Sequence, residues 1–374
     1  MFSFSHERNY HALTRNEKKP SISKVKMICS IQTIIFVVLL CGACGACGAD
    51  LTQLNDLVKN LHAERENDDF RGNDPAVFAC IYEKSMTEFA VAKSNNKIRM
   101  SMMIDKLSNG RDLSLFFVGS GNNVTEKDSR FKISKEWYIK SGTNICYIAY
   151  AFEKYKATVM NAYFYLKKVY TTKRIEFVAK TAYDFVLNIR NKCLKSKAKG
   201  CIQHMSQITV IGYSLGAIIA PYFCRHIFEE TGQKAKKFIG LDPAAIYWAN
   251  ANDYIKSGDA DYVQVVHTSY LGTQLQRGDS DIYIKSDNWD TQMSHKLAVD
   301  LHELISAKKL VLIAAENGTG RSINLQESLH VNPDLIQIAD TECMVGVYCE
   351  GCNKRKHGQI YNISLVTKSL KTYF

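Results

Sequence analysis

The chain has 374 residues, of which 46% are hydrophobic and 23% are charged, and it carries a formal net charge of +11. This length accommodates one large domain or two modest ones with a sizeable hydrophobic core. The positive charge suits an anionic membrane surface or a mildly basic secreted protein. The sequence contains no nucleic-acid-binding module, which argues against a nucleic-acid partner.

The N-terminal region contains a short apolar segment between basic residues and small residues. Lys26 precedes the segment at residues 27–40, and a Cys-Gly-Ala repeat at 41–49 follows it. This order is typical of a secretory signal peptide, with cleavage near Ala49 and with Met27 as a possible start. A signal anchor is the alternative, but the apolar run is short for a membrane span. We expect residues 1–49 to be an N-terminal extension with a signal peptide, and the mature protein to be secreted and extracellular.

Eight of the 12 cysteines lie beyond this segment, and an even number in a secreted chain predicts disulfide bonds. Two of them bracket a short loop before residue 208, and three others cluster near the C-terminus. Zinc is the alternative for the C-terminal cluster, but the pair Cys349 and Cys352 with His357 has no clear fourth ligand other than Cys343, so disulfide bonds are the expected state. The disulfide candidates are Cys80, Cys146, Cys193, Cys201, Cys343, Cys349 and Cys352.

Short apolar runs that alternate with amphipathic helical patterns predict an α/β fold. After a polar stretch at 50–75, buried strands are expected at 113–118, 145–150, 208–211, 238–241 and 262–267. Helices are expected at 175–193 and 295–308, and residues 360–367 as a late strand at the edge of the sheet. This alternation predicts a mainly parallel central sheet with helices on both faces. We find no repeat and no linker, and expect 50–374 to be a single domain.

The most informative motif is Gly212-Tyr-Ser-Leu-Gly216, which follows a β-branched run and precedes a small, apolar helix start. A serine nucleophile at a sharp strand-to-helix turn needs small residues two positions before and after it. The free N–H groups of the following helix favour negative charge near Ser214. The motif therefore predicts the nucleophile elbow of an α/β-hydrolase.

A serine nucleophile requires a base and an orienting acid, which follow in the order Ser, Asp, His in this fold. Asp242 ends the strand predicted at 238–241, and His295 opens the helix predicted at 295–308. A turn-capping aspartate before Pro243 and an incidental histidine are the structural alternatives. The order of the three residues favours a catalytic triad.

Five segments of the chain form an ordered set: GYSLGA at 212–217, GLDPA at 240–244, and residues 259–268, 278–283 and 294–299. They occur in the order and approximate spacing of the pancreatic-lipase family, and the chain most resembles its single-domain insect branch of phospholipase A1-like enzymes. The resemblance implies Ser214 as nucleophile, His295 as base and then acid, and Asp242 as its orienting acid. His267 also lies in a family motif, where it has a structural role.

The resemblance implies an oxyanion hole made by the backbone N–H groups of Leu215 and Ser120. The family usually has His-Gly and a bulky residue there, whereas this chain has Val118-Gly-Ser120. Because the donor is a backbone group, it survives the substitution, but the missing histidine leaves the loop without one of its usual supports. Three N-glycosylation sequons occur in the chain, at Asn123, Asn317 and Asn362.

Other positions also depart from the family pattern. The strand that commonly ends in Val-Asp-Trp ends here in Tyr150, and Pro221 falls inside the helix after the elbow, where proline favours a kink. The loop that binds calcium in mammalian lipases keeps Asp259, but Lys256 stands where an acid is expected. Because lysine cannot ligate calcium, we predict no metal and no other cofactor.

The lid segment is the most informative departure. Eleven residues, 284–294, separate Tyr283 from His295, and Met293 replaces the closing cysteine, so no lid of useful size is expected. Trp289 in this segment is a candidate membrane contact or a packed side chain. Short-lid members of the family favour phospholipids, and no C-terminal β-sandwich (PLAT-like domain) or colipase partner is expected.

These features predict a carboxylic ester hydrolase that releases the sn-1 fatty acid of phospholipids at a membrane or micelle surface. The alternatives are a catalytically degenerate lipid-binding or yolk-like member of the family and a triacylglycerol lipase.

Overall fold

A twelve-stranded mixed β-sheet organises the part of the chain that the structure describes. The computed structural model describes residues 72–152, 162–196, 202–246, 251–287, 290–326, 336–349 and 358–366. These residues belong to one compact unit, Asp50–Phe374. The predicted N-terminal extension at 1–49 and its signal peptide lie outside the described residues.

The strands follow the chain in the order β1 to β12. Their bounds are β1 Val77–Ile81, β2 Ala90–Lys93, β3 Leu113–Phe117, β4 Asn144–Ala149, β5 Ile208–Tyr213, β6 Lys237–Leu241, β7 Val263–His267, β8 Ser280–Ser286, β9 Leu310–Ala315, β10 Arg321–Asn324, β11 Glu342–Met344 and β12 Gln359–Leu365.

Six α-helices lie among these strands in the described residues. They are α1 Lys97–Leu107, α2 Phe131–Ser141, α3 Ala162–Thr171, α4 Arg174–Ser196, α5 Gly216–Thr231 and α6 Thr291–Ser306.

The centre of the sheet is parallel and its margins are antiparallel. The strand order is β10-β9-β12-β8-β7-β6-β5-β3-β4-β1-β2, with β11 paired to β9. All pairs from β4 through β3, β5, β6, β7 and β8 to β12 are parallel. The parallel strands end at one common edge, where the loops of an α/β sheet form its ligand sites. The predicted α/β-hydrolase class is therefore confirmed.

Helices cover both faces of this sheet, as predicted. Phe116 and Phe117 are neighbours on β3, so their side chains point to opposite faces. The Phe116 ring lies 5.4 Å from His302 of α6, whereas the Phe117 ring lies 5.5 Å from Phe223 of α5. Helices α5 and α6 therefore pack on opposite sides of β3.

The five predicted inner strands are all present, but two expectations on the elements need correction. Helix α6 begins four residues earlier than predicted, because the Asp290 side chain accepts a hydrogen bond from Met293 N at 2.8 Å and caps the helix there. His295 therefore lies in the second turn instead of opening the helix. The late strand β12 lies between β8 and β9, not at the sheet edge. Pro221 lies inside helix α5, as predicted.

The disulfide predictions are confirmed in part. Cys80 of β1 and Cys146 of β4 face each other across the antiparallel pair and form a disulfide bond. Cys193 and Cys343 each take part in a disulfide bond of their own, and the candidates Cys201 and Cys352 lie outside the described residues. Cys349 was wrongly predicted as a disulfide partner, because its buried thiol contacts Tyr262 Oη at 3.7 Å.

None of the helices in the described ranges is long and apolar enough to cross a membrane.

Candidate active site

Ser214 lies at the sharp turn between β5 and α5, as the sequence motif predicted. Its backbone has a left-handed φ of 53°, an uncommon conformation for a residue with a side chain. The backbone N–H of Ser214 donates to Leu241 O at 3.0 Å, which ties the turn to the neighbouring strand.

The two glycines of the motif are required by close contacts. A Cβ atom on Gly212 would lie 2.7 Å from the Cα of Ala217. A Cβ atom on Gly216 would lie 2.2 Å from Phe117 O and 2.5 Å from Val118 O. Gly216 therefore lets the elbow pack against the loop that follows β3, where the oxyanion hole was predicted.

Asp242 follows β6 and is completely buried. Its Oδ1 accepts hydrogen bonds from Thr268 N at 2.8 Å and from Ser269 N at 3.2 Å, and its Oδ2 accepts from the Ser269 hydroxyl. A Cβ atom on Gly272 would lie 2.5 Å from Asp242 Oδ1, so the chain after β7 can approach the carboxylate closely only at a glycine. These donors fix the orientation of the carboxylate.

His295 joins the other two residues in one hydrogen-bonded series. Its Nδ1 lies 2.6 Å from Asp242 Oδ2, and its Nε2 lies 2.9 Å from Ser214 Oγ. Because Nδ1 faces a carboxylate, we assign the proton of the neutral ring to Nδ1, which leaves Nε2 to accept the Ser214 hydroxyl. The His295 side chain is 15% exposed whereas that of Asp242 is 0% exposed, so solvent reaches the series from the histidine and serine end.

The Tyr213 ring packs beside this series. Its centroid lies 4.9 Å from that of His295, and burial, with a smaller effect of the Asp242 charge, raises the pKa of the Tyr213 hydroxyl. Tyr213 is therefore neutral near His295 and adds no charge to the site.

The loop after β3 is held by a side chain that the sequence reasoning did not assign to the site. The buried Tyr150 hydroxyl, just after β4, donates to Val118 O at 2.7 Å, and Val118 N donates to Ile148 O at 3.2 Å. Burial raises the pKa of Tyr150, so its hydroxyl keeps the proton that it donates. Tyr150, a residue that departs from the family pattern, therefore supports the loop at 118–120, whose sequence also departs from that pattern.

The predicted oxyanion donors belong to the serine turn and to the loop after β3. Leu215 is the first residue after the serine, and Ser120 is two residues after Val118. Their backbone N–H groups donate to no acceptor within the described ranges, and the buried Ser120 hydroxyl has no hydrogen-bond partner there either. Both N–H groups are therefore available to an oxyanion, as a hole of this type requires.

His267 has the structural surroundings that were expected. Its Nδ1 lies 2.7 Å from Thr273 O and its Nε2 lies 2.9 Å from Asp281 Oδ1, while its ring stacks on Tyr283 at 4.4 Å. Both ring nitrogens are occupied by buried partners, so His267 has no nitrogen left to serve Ser214.

Ser269 is a second residue that sequence reasoning missed. Besides donating to Asp242, its hydroxyl lies 3.5 Å from His295 Nδ1. It lies directly after the motif at 259–268, and its position at the end of β7 was the signal that could have identified it.

Three large apolar side chains are exposed on the segments that carry these residues. Tyr270, next to Ser269, is 86% exposed, and Leu275 and Met293 are each 58% exposed. The connection between β8 and α6 is only four residues long, from 287 to 290, and Trp289 within it lies outside the described residues. Large apolar side chains are therefore exposed on the segments that carry the site residues, and the connection in the predicted lid region is short.

The predicted glycosylation sites differ in exposure. Asn123 and Asn317 are exposed, whereas Asn362 is half-buried on β12 within the sheet.

Across the described residues, no cluster of three or more His, Cys, Asp or Glu side chains could hold a metal ion.

Comparison with known proteins agrees with this geometry. The family model described as Lipase matches residues 169–322, which include Ser214, Asp242 and His295. The chain is similar to three wasp proteins named phospholipase A1. That of Polybia paulista is 30% identical over 210 residues, which cover 54% of this chain and 58% of the relative.

The other two relatives align over comparable stretches. The protein of Vespula maculifrons is 27% identical over 46% of this chain and 50% of its own length. The protein of Vespa velutina is 28% identical over 55% of this chain and 69% of its own length. The chain therefore spans about half to two thirds of the length of these relatives. The family match and the wasp relatives therefore show that the chain is similar to the lipase family, and to insect proteins named phospholipase A1, over the segment that contains Ser214, Asp242 and His295.

Proposed function

We propose that the protein is a secreted serine carboxylester hydrolase, and specifically a phospholipase A1 that releases the sn-1 fatty acid of phospholipids. The observation that carries the proposal is the hydrogen-bonded series from Ser214 Oγ through His295 to Asp242. A serine hydroxyl is a weak nucleophile, and a histidine acceptor oriented by a buried carboxylate activates it.

The proposed reaction proceeds through an acyl-enzyme. Ser214 Oγ attacks the ester carbonyl carbon while its proton moves to His295 Nε2, and the negative charge develops on the former carbonyl oxygen. The N–H groups of Leu215 and Ser120 stabilise this oxyanion. The tetrahedral intermediate collapses, the ester C–O bond breaks, and His295 gives its proton to the departing lysophospholipid alkoxide.

Water then completes the cycle. His295 Nε2 takes a proton from a water molecule, whose oxygen attacks the acyl carbon to form a second tetrahedral intermediate. This intermediate expels Ser214 Oγ, which regains the proton from His295, and the fatty acid leaves. Asp242 stabilises the imidazolium in both half-reactions without becoming protonated.

The exposed apolar side chains on the segments that carry the site residues support a lipid substrate. Tyr270 follows Ser269, and Met293 lies two residues before His295, and both side chains are exposed, as is Leu275 in the same loop as Tyr270. Exposed apolar side chains grouped near a site are typical of surfaces that contact other apolar groups, including lipid. The four-residue connection between β8 and α6 supports a phospholipase over a lid-gated triacylglycerol lipase. The relatives named phospholipase A1 support the same substrate class.

The test uses phosphatidylcholine vesicles that carry different labels on the sn-1 and sn-2 acyl chains. We expect the wild-type protein to release the sn-1 label and the Ser214→Ala variant to lose at least about 10³-fold in rate. Ser101→Ala, at an exposed position of helix α1, is the control for a surface serine-to-alanine change. Equal release by wild type and Ser214→Ala, or no release by either, contradicts the hydrolase proposal, and release of the sn-2 label contradicts the A1 specificity.

Secretion has a separate test. We expect expression of the full chain in insect cells to give a protein in the medium whose N-terminus lies near Asp50. A full-length chain retained in the cell membrane contradicts the cleaved signal peptide.

A further inference from the structure

The connection from β6 to β7 directs several oxygen atoms toward one point. Asp259 is almost completely buried, and its two carboxylate oxygens face the same way as the carbonyl oxygens of Asn252 and Tyr254. Oxygen sets of this kind, with a bidentate carboxylate and backbone carbonyls, are what calcium and similar hard cations prefer. In this protein the point is occupied by the guanidinium of Arg225, from helix α5.

Arg225 contacts every oxygen in the set. Its Nε donates to Asp259 Oδ1 at 2.8 Å, and its Nη2 donates to Asp259 Oδ2 at 3.0 Å and to Tyr254 O at 2.6 Å. Its Nη1 donates to Asn252 O. The pairing with Asp259 is bidentate, and the planar fork of arginine also reaches both carbonyls, which a single ammonium could not do at once.

The surrounding residues also hold this loop. Lys256 N donates to Asp259 Oδ2 at 2.9 Å. One turn before Arg225 on α5, the Tyr222 hydroxyl donates to Asp253 Oδ1 at 2.6 Å. Helix α5 therefore binds the loop at two successive positions on one face, and the helix that begins beside Ser214 is tied to the segment that follows Asp242.

Calcium, which the resemblance to mammalian lipases implies for this loop, does not fit these residues. Both carboxylate oxygens of Asp259 and two carbonyl oxygens already accept hydrogen bonds from Arg225, and a cation there would meet a fixed positive charge at hydrogen-bond distance. The nearby Lys256 side chain adds no ligand.

We propose that the Arg225 guanidinium takes the place of a structural cation. It occupies a position where the carbonyl oxygens of Asn252 and Tyr254 and the Asp259 carboxylate would otherwise bind a divalent cation. The guanidinium supplies the positive charge that the oxygen set requires, so the loop needs no dissolved cation. Removal of the side chain leaves the same oxygens without a positive partner, and a calcium ion then becomes the ligand that fits them.

The test measures the thermal unfolding midpoint of the full-length protein and of Arg225→Ala in EDTA, in 5 mM calcium and in potassium chloride of matched ionic strength. We expect the wild-type midpoint to be the same in all three buffers. We expect the Arg225→Ala midpoint to fall by about 5 °C in EDTA and to recover by at least half in calcium but not in potassium. The unfolding midpoint does not depend on ester hydrolysis. A negative result here would therefore contradict the cation proposal without contradicting the proposed hydrolase function.

Terbium luminescence gives a second reading. We expect Arg225→Ala to bind terbium at this loop. We expect neither the wild type nor the double variant Arg225→Ala/Asp259→Asn to bind it there.

Two results of the unfolding experiment would overturn the proposal. One is a wild-type midpoint that falls in EDTA and recovers in calcium, and the other is an Arg225→Ala variant that is destabilised but unresponsive to calcium. If Arg225→Ala accumulates unfolded, refolding yields with and without calcium replace the midpoint, and equal yields overturn the proposal.

Discussion

The triad and the loop after β3 meet at one end of the same sheet, yet they are fixed in different ways. Ser214 is placed by its own turn, with a φ of 53° and glycines two residues on either side. The Val118–Ser120 loop is held by the Tyr150 hydroxyl, 32 residues away along the chain. The position of the Ser214 side chain therefore depends on a short local motif, whereas the loop with the predicted oxyanion donor depends on a side chain from a distant part of the sequence.

The largest effect is expected from Asp242→Asn, which removes the carboxylate that orients His295. We expect kcat to fall about 10⁴-fold, because the amide no longer fixes the ring tautomer that accepts the Ser214 proton. The control is Asp281→Asn, a buried partner of His267 outside the triad, which should lower stability but leave kcat of the folded protein unchanged. An Asp242→Asn variant within tenfold of wild type contradicts the triad assignment.

Gly216→Ala tests the contact between the two regions. The new methyl group would meet Phe117 O and Val118 O, so it pushes the loop away from the elbow. We expect kcat to fall about 10²-fold, since displacement of an oxyanion donor costs about that much. Gly142→Ala is the control: it has open space but a φ of 71°, so it should lower the unfolding midpoint without changing kcat. Equal kinetic effects of the two variants would show that the loop does not depend on Gly216.

His302 connects the two regions, because it lies on the helix of His295 and packs against Phe116 of β3 and Trp137. Burial lowers the pKa of His302 to about 3, whereas the unfolded chain has the ordinary value of about 6.5. The unfolded state therefore binds more protons below pH 6.5, and stability falls as the pH is lowered through that value.

The corresponding prediction concerns His302→Leu. We expect the wild type to lose about 2 kcal/mol of unfolding free energy between pH 7.5 and pH 5 through this group, and the variant to lack that part of the pH dependence. Urea unfolding of both proteins at the two pH values measures the difference. Parallel pH dependences of the two proteins would contradict a neutral buried His302.

The smallest effect is expected from Tyr150→Phe, which removes only the hydroxyl that supports the loop. We expect about 1 kcal/mol of lost stability and a fall in kcat of about tenfold with little change in KM. The matched control is Tyr138→Phe, whose hydroxyl donates to Tyr82 O at 2.9 Å outside the triad and its loops. That variant should lose similar stability and no activity, and a Tyr150→Phe variant with wild-type kcat contradicts the positioning role.

The sequence alone predicted the α/β class, the five inner strands, the serine turn and the two partners of Ser214. These features are encoded within a few neighbouring residues: an apolar run, a glycine that a turn requires, and an acid at the end of a strand. Helix α6 was predicted four residues short, because its start is set by the Asp290 cap and not by the apolar pattern.

Only the tertiary structure decided where β12 inserts, which side chains hold the loop after β3, and how the β6–β7 loop is closed. The contacts of Tyr150 with Val118, Ser269 with Asp242, and Arg225 with Asp259 join residues 27 to 34 positions apart. Each is a hydrogen bond between residues that only the packing of strands and helices brings together. The sequence therefore determined the reactive groups, whereas the tertiary structure determined what supports them.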